Sequence, residues 1–261
     1  MKAPQGARAF YDGLASLYHL VYDDWESAIE RQAQAIVAML SRVGLEGKLR
    51  VLDVACGIGT QTIGMASRGF DVTGVDISPR AVARARRELR RRRLRARVMA
   101  GDMGRLPEEL AGCFDVVTCM DNPLAHLHED GELAAAFGSM REALRPGGTL
   151  LLGSRDYDAL LAQRPSQGAV RRFFAAHRET VVVPLWTWDA DGRPFYTNEL
   201  IIARRGPAWW TTRSVTTRMR AWTRDEIGTA ARGAGFEEAR WLFPEETGSF
   251  QPVLVAARPR A

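Results

Sequence analysis

No apolar run in the 261-residue chain approaches the roughly 20 residues that a bilayer-spanning helix needs. The opening residues Met1 to Gly6 also lack the apolar segment of a signal peptide, which points to a cytoplasmic protein with no membrane partner. Cysteine is scarce: Cys56, Cys113 and Cys119 have neither the even count of a disulfide framework nor the paired spacing of a zinc site. They read as reduced thiols, and no metal is expected. Internal repeats and low-complexity tracts are absent apart from one arginine cluster, and lysine occurs only at Lys2 and Lys48. The net charge of +5 traces to that cluster, because residues 84–97 alone carry +8 and leave the remainder at −3. A local patch on a helix with Val82, Ala85 and Leu89 inward is a solvated face more readily than a nucleic-acid surface.

What is present is a composition able to form a core, 46% hydrophobic and 26% charged, arranged in alternating patterns. Residues 7–40 carry apolar side chains at helical spacing, including Leu14, Leu17, Leu20, Ile29 and Ile36. Then Arg50 to Ala55 reads as a strand, Cys56-Gly57-Ile58-Gly59 as a glycine turn, and the following residues as a helix. The unit repeats at Asp71 to Asp76, with Ser78 as helix cap and Pro79 at the first helical position. Strands follow at 96–100, 114–119 and 149–153, with a helix near 131–144 and a turn at Arg145-Pro146-Gly147-Gly148. Such alternation calls for an α/β fold whose parallel sheet is covered on both faces.

After Pro165 the pattern changes to three strands, 179–188, 195–204 and 213–222, around an Asp191-Gly192 turn. A helix from Thr223 to Gly233, a turn at Gly235 and a strand near 253–257 resume the first pattern. The organisation expected is one domain over 1–261: a helical lid (1–45), a cofactor-binding core (46–165), an antiparallel substrate cover (166–222) and the completion of the core (223–261). Trp186, Trp188, Trp209, Trp210 and Trp222 fall in or beside the cover. They could enclose an acceptor, form the insertion's own core, or make a homodimer interface.

Ligands of open parallel sheets bind beyond the C-terminal strand ends, where the glycine turn lies. Asp76, roughly 20 residues after the glycines, suits a ribose whose two hydroxyls it can accept. The first turn lacks a third glycine and is preceded by Asp53, a carboxylate that would repel a diphosphate but not a sulfonium or ammonium. Over about residues 50–155 the chain resembles the class I S-adenosylmethionine-dependent methyltransferases. The resemblance implies a Rossmann-like seven-stranded mostly parallel sheet with helices on both faces. It also implies S-adenosyl-L-methionine as cofactor, S-adenosyl-L-homocysteine as product and a small-molecule acceptor. The expected cofactor contacts are Asp53, Ala55, Cys56, Gly57, Asp76, Ile77, Gly101, Asp102, Met103 and Met120, with Asp102 reaching the adenine amino group and Cys56 packing rather than reacting.

The segment Asn122-Pro123-Leu124-Ala125-His126-Leu127 is similar to one in the glycine N-methyltransferase group, as is Arg155-Asp156-Tyr157-Asp158. That likeness makes Asn122 and His126 candidates for the reaction centre, and Asn122, Arg155 and Tyr157 candidates for binding the acceptor. Arg155 would pair with an acceptor carboxylate. Two other readings stay open: His126 as a capping or packing residue, and Arg155 paired internally with Asp156 or Asp158. From the lid, Tyr11, Tyr18, Tyr22 and Trp25 offer aromatic cover and Arg31 a partner for the cofactor carboxylate. The leading function is N-methylation of an amino acid or amine. Alternatives are methylation or cyclisation of a specialised metabolite, RNA methylation with the arginine helix on phosphates, and a non-catalytic binding fold.

Overall fold

The computed structural model describes residues 4–175 and 178–260. The expected lid therefore begins with three residues, 1–3, that lie outside the described part. The strands are β1 (Arg50–Val54), β2 (Asp71–Asp76), β3 (Arg97–Ala100), β4 (Phe114–Cys119), β5 (Leu144–Gly153), β6 (Arg171–Ala175), β7 (Arg178–Trp188), β8 (Phe195–Arg205), β9 (Trp210–Arg220), β10 (Glu237–Leu242) and β11 (Val253–Ala257). The helices are α1 (Ala7–Leu14), α2 (Trp25–Arg42), α3 (Thr60–Ala66), α4 (Pro79–Arg91), α5 (Asp130–Ala143), α6 (Tyr157–Gln163), α7 (Arg224–Gly233) and α8 (Pro244–Thr247).

Seven strands form one sheet in the order β10-β11-β5-β4-β1-β2-β3, in which β11 alone is reversed: it pairs antiparallel with both β5 and β10, so β10 runs in the direction of β1 to β5. Runs such as Leu150-Leu151-Leu152 and Val116-Val117 are wholly buried because helices cover both faces. The chain leaves β1 outward through β2 and β3, then returns to lay β4 on the other side of β1. That reversal opens a crevice beyond the C-terminal ends of β1 and β4, the place where this sheet type takes its ligand.

The remaining strands form a second, antiparallel sheet, β6-β7-β8-β9. Every second residue of β8 from Tyr196 to Ile202 is buried, the alternation of a sheet with one covered face. Phe10 and Leu14 of α1 fill that face against Val182, Leu200, Ile202 and Val215. The burial joins lid and second sheet into one roof.

Five expectations change. The apolar periodicity of 7–40 is not one helix, because Asp24 starts α2 anew by accepting a hydrogen bond from the Ser27 N–H. The residues read as a turn at 145–148 belong to β5, where Gly147 at φ +76° accommodates an irregularity in the pairing with β4. Strands β6 and β10 were not foreseen, and the last strand of the cover is 210–220 rather than 213–222. The arginine helix is not wholly solvated: Arg84 is buried and donates to the Ala15 carbonyl at 2.8 Å.

The tryptophans divide three ways. Trp222 is buried in the core of the large sheet, with its indole N–H donating to the Leu127 carbonyl. Trp186 and Trp188 pack on Tyr196 inside the roof. Trp209 and Trp210 stand exposed at the β8–β9 hairpin.

Candidate active site

Two adjoining cavities occupy the crevice. The smaller, about 260 Å³, is walled by the strand-end turns: Ala55 to Ile58 after β1, Asp76 and Ile77 after β2, Gly101 to Met103 after β3, and Met120 and Asp121 after β4. Tyr11, Tyr18 and Tyr22 of the lid close it. Backbone geometry explains why this sequence makes such a wall. Gly57 at φ +55° and Gly59 at φ +95° turn the chain within four residues. At Gly101 a Cβ would stand 2.7 Å from Val75 Cγ1, so no larger residue fits between the strand end and the cleft.

Asp76 is aimed by two backbone donors, Gly57 N–H to Oδ2 and Ser78 N–H to Oδ1, both at 2.8 Å. Each oxygen keeps a lone pair for a further donor, as two vicinal hydroxyls would supply. Asp102 stands exposed at the rim, its Oδ1 accepting from the Gly104 N–H. The lining includes Asp76, Asp102, Asp121 and Glu132 and no arginine or lysine among the described residues. That donor set suits a nucleoside bearing a cation and opposes a diphosphate.

Not every expected cofactor contact reaches this cleft. Asp53 lies behind it, buried, its oxygens taken by the hydroxyls of Thr62 at 2.6 Å and Thr118 at 3.1 Å. Burial pushes its carboxyl up to about 7 despite those bonds. Trp25 is spent on structure: its N–H donates to Thr60 Oγ1, and the guanidiniums of Arg84 and Arg92 each lie 5.2 Å from its ring centroid. Arg31 lines the neighbouring cavity instead. Cys56 does belong to the cleft wall, but its thiol is buried, pushed up by that burial, and packs close to Gly74.

The larger cavity, about 890 Å³, lies between the lid, the roof and α6. Tyr11, Tyr18, Tyr22 and Asp121 line both spaces and form the wall between them. Arg155 faces the larger one. Its Nη1 donates to Tyr196 Oη at 3.2 Å and its guanidinium lies 4.9 Å from the Trp186 ring centroid. Asp156 and Asp158 do not pair with it, because both bond Arg224, at 2.6 and 3.4 Å. Asn122 joins the walls to their support: its Oδ1 accepts from the Arg155 N–H and its Nδ2 donates to Tyr157 Oη. Tyr157 is buried beneath Asn122, with its hydroxyl engaged by Asn122 and Tyr196, so it supports the pocket without lining it.

His126 lines the smaller cleft, its Nε2 sharing a hydrogen bond with Tyr11 Oη at 2.9 Å. Burial lowers its pKa to about 3, so the ring is neutral in the working range and a weak proton acceptor. Sequence reasoning missed Asp121 and Gln61. The signal for Asp121 was available, an acidic residue immediately after a strand that borders the switch point.

The methyltransferase domain family matches residues 51–148. A glycine/sarcosine N-methyltransferase of Parasynechococcus marenigrum is 34% identical over 138 residues, covering 53% of this chain and 48% of that protein. Human glycine N-methyltransferase is 31% identical, covering 59% and 56%. The chain thus spans about half the length of the curated relatives it matches. A solved structure similar along nearly the whole chain is an S-adenosylmethionine-bound amino pentose methyltransferase from Micromonospora echinaspora involved in calicheamicin biosynthesis. It has a TM-score of 0.73 and 27% identity, and the match covers 93% of this chain and 95% of that one.

Proposed function

Starting from a class I S-adenosylmethionine-dependent methyltransferase fold whose cofactor is S-adenosylmethionine, we propose that this chain methylates an amine nitrogen on a small molecule. That acceptor is larger than a free amino acid and carries an anionic group. One observation carries the reading: the guanidinium of Arg155, without a carboxylate partner among the described residues, faces an 890 Å³ cavity that shares a wall with the cofactor cleft. A withdrawn cation of this kind calls for an anion, and a planar guanidinium offers a carboxylate or phosphate two parallel bonds. Glycine would leave most of such a space to water, whereas cavities of about 300–1,000 Å³ suit ligands of drug size. The glycine/sarcosine and glycine N-methyltransferase relatives favour nitrogen as the acceptor atom.

Bound S-adenosylmethionine supplies a methyl group already activated on a sulfonium. The chain's own contribution is then alignment and exclusion of water. Arg155 fixes one end of the acceptor, Asn122 holds the Arg155 backbone in register, and the three lid tyrosines close the passage. Burial holds the hydroxyls of Tyr11, Tyr18 and Tyr22 protonated, so they donate hydrogen bonds rather than carry charge.

The arginine helix serves the lid in this reading, since Arg84 and Arg92 grip Trp25 and Arg91 and Arg92 pair with Glu26 and Glu88. S-adenosylhomocysteine release tests the proposal against glycine, sarcosine, amino sugars, larger amines, phenols and carboxylic acids. Turnover of ring-sized amines that falls in Arg155→Ala supports it. Turnover confined to phenols, or to glycine and sarcosine, contradicts it.

A further inference from the structure

The chain leaves β4 through two successive residues in the left-handed region, Asp121 at φ +65° and Asn122 at φ +72°. Neither is glycine, and side-chain-bearing residues adopt that conformation only at a cost, which surrounding structure must enforce. The turn places Asp121 in the wall common to the cofactor cleft and the acceptor cavity. Its two oxygens are treated differently. Oδ2 accepts from Tyr22 Oη at 2.7 Å and from Gln61 Nε2 at 3.0 Å. Oδ1 is shielded from solvent and meets no donor at hydrogen-bond geometry among the described residues, although the Gln32 side chain, itself bonded to Gln61, lies close enough to the carboxyl to lower its pKa against the rise caused by burial.

A carboxylate oxygen taken from water and left unmatched is costly, and the cost is relieved only by a donor arriving from outside the chain. A cationic nitrogen relieves it best, because it adds the attraction of opposite charges, strong where water is shut out, to the hydrogen bond that any donor would make. We propose that Asp121 Oδ1 receives an N–H of the acceptor's ammonium, takes that proton as the nitrogen's lone pair turns to the methyl group, and so makes the site select nitrogen over oxygen acceptors. This rests on the reading of the acceptor as an amine.

One feature favours the acceptor's nitrogen over a cofactor group as that donor. Asp121 lines the larger cavity together with Arg155, so one ligand bearing an amine and an anion meets a complementary charge at each end.

The test uses equilibrium binding to the full chain saturated with S-adenosylhomocysteine, with benzylamine and its neutral isostere benzyl alcohol as probes at pH 7. Unmutated protein should bind benzylamine about tenfold more tightly or better, and Asp121→Asn and Asp121→Ser should reduce the ratio to about threefold or less, the loss of the attraction between opposite charges. Asp121→Glu should keep part of it, and thermal midpoints establish that each variant is folded. An unchanged ratio in both neutral variants, or no amine preference in the unmutated protein, overturns the proposal. So does a variant that keeps the amine ratio but loses discrimination between S-adenosylmethionine and S-adenosylhomocysteine, which would assign the carboxylate to the cofactor's cation. The amine reading fails separately: if unmutated protein turns over only phenols, the acceptor class is wrong, while the binding ratio still decides what Asp121 does.

Discussion

Asp156 gives its carboxylate to Arg224, 2.6 Å away and 68 positions along the chain, and not to Arg155 beside it. The same oxygen accepts from the Ala159 N–H and caps α6, so it is already engaged although Asp156 borders the larger cavity. Arg155 is left for a ligand. Arg155→Ala should therefore raise the acceptor KM by about tenfold or more, since a hydrogen bond to a charged group contributes roughly 1.5–3 kcal/mol. The cofactor dissociation constant should stay within about twofold, because Arg155 does not line that cleft. Arg224→Ala frees Asp156 and Asp158 to compete for Arg155 and should raise the same KM by a smaller factor. Steady-state kinetics on any amine found by the acceptor panel decides both, and an unchanged KM in Arg155→Ala would refute the anchor.

Two buried groups pull stability in opposite directions with pH. His126 has its pKa lowered from 6.5 to about 3, so between those values only the unfolded chain holds the proton and stability falls as pH falls. Asp53 is raised from 3.8 to about 7, so across that window only the native state holds the proton and stability falls as pH rises. Each contributes about 1.4 kcal/mol per pH unit in its window, and the two oppose each other between pH 3.8 and 6.5. Denaturant midpoints of the cofactor-free protein at pH 4, 5, 6 and 7 should show this. Relative to the unmutated chain, His126→Gln tilts the profile toward lower stability at high pH, and Asp53→Asn tilts it the other way. Parallel profiles for all three proteins would contradict the assignment.

The lid is fastened beside Asp76. Asp12 Oδ1 of α1 accepts from Ser78 Oγ at 2.6 Å and from the Arg80 N–H at 3.1 Å, and the Ser78 N–H in turn donates to Asp76. Opening α1 breaks the Asp12 bonds. Asp12→Ala should speed cofactor release by about tenfold in stopped-flow fluorescence, consistent with the loss of a charge-assisted contact, with Asp12→Asn in between. Equal release rates in all three proteins would show that the latch does not limit opening.

The glycine turn is packed against the neighbouring strand with no space to spare. A Cβ on Gly74 would lie 2.9 Å from Cys56 Sγ and 3.1 Å from Thr62 Oγ1. Gly74→Ala should destabilise by about 1–3 kcal/mol through overpacking, and adding Cys56→Ala should recover part of that loss. The comparison is a double-mutant cycle on denaturant midpoints, in which strict additivity would mean that the two side chains do not meet.

Much of this was readable before any coordinates. Ser78 and Pro79 announce the start of α4 because a cap and a first-turn proline act within three residues, and the Ser78 hydroxyl does accept from the Ala81 N–H. The glycine turn, Asp76 and the Gly101-Asp102-Met103 segment were legible for the same reason, each being set by its own strand end. Residue spacing could not say that Trp25 is gripped by Arg84 and Arg92, or that Arg31 faces the acceptor cavity. A lid's faces are chosen by what it closes upon.

The sequence by itself determined the alternating elements, the turn that opens the cleft and the carboxylate that waits there, all of them consequences of backbone preference and local hydrogen bonding. Only the tertiary structure decided which charges are left unpaired. Among the described residues, Arg155 loses its neighbours to Arg224, and one oxygen of Asp121 has no partner at hydrogen-bond geometry while Tyr22 and Gln61, 99 and 60 positions away, take the other. Burial makes such pairings matter energetically, and the partners are whatever distant side chains the packed fold brings together.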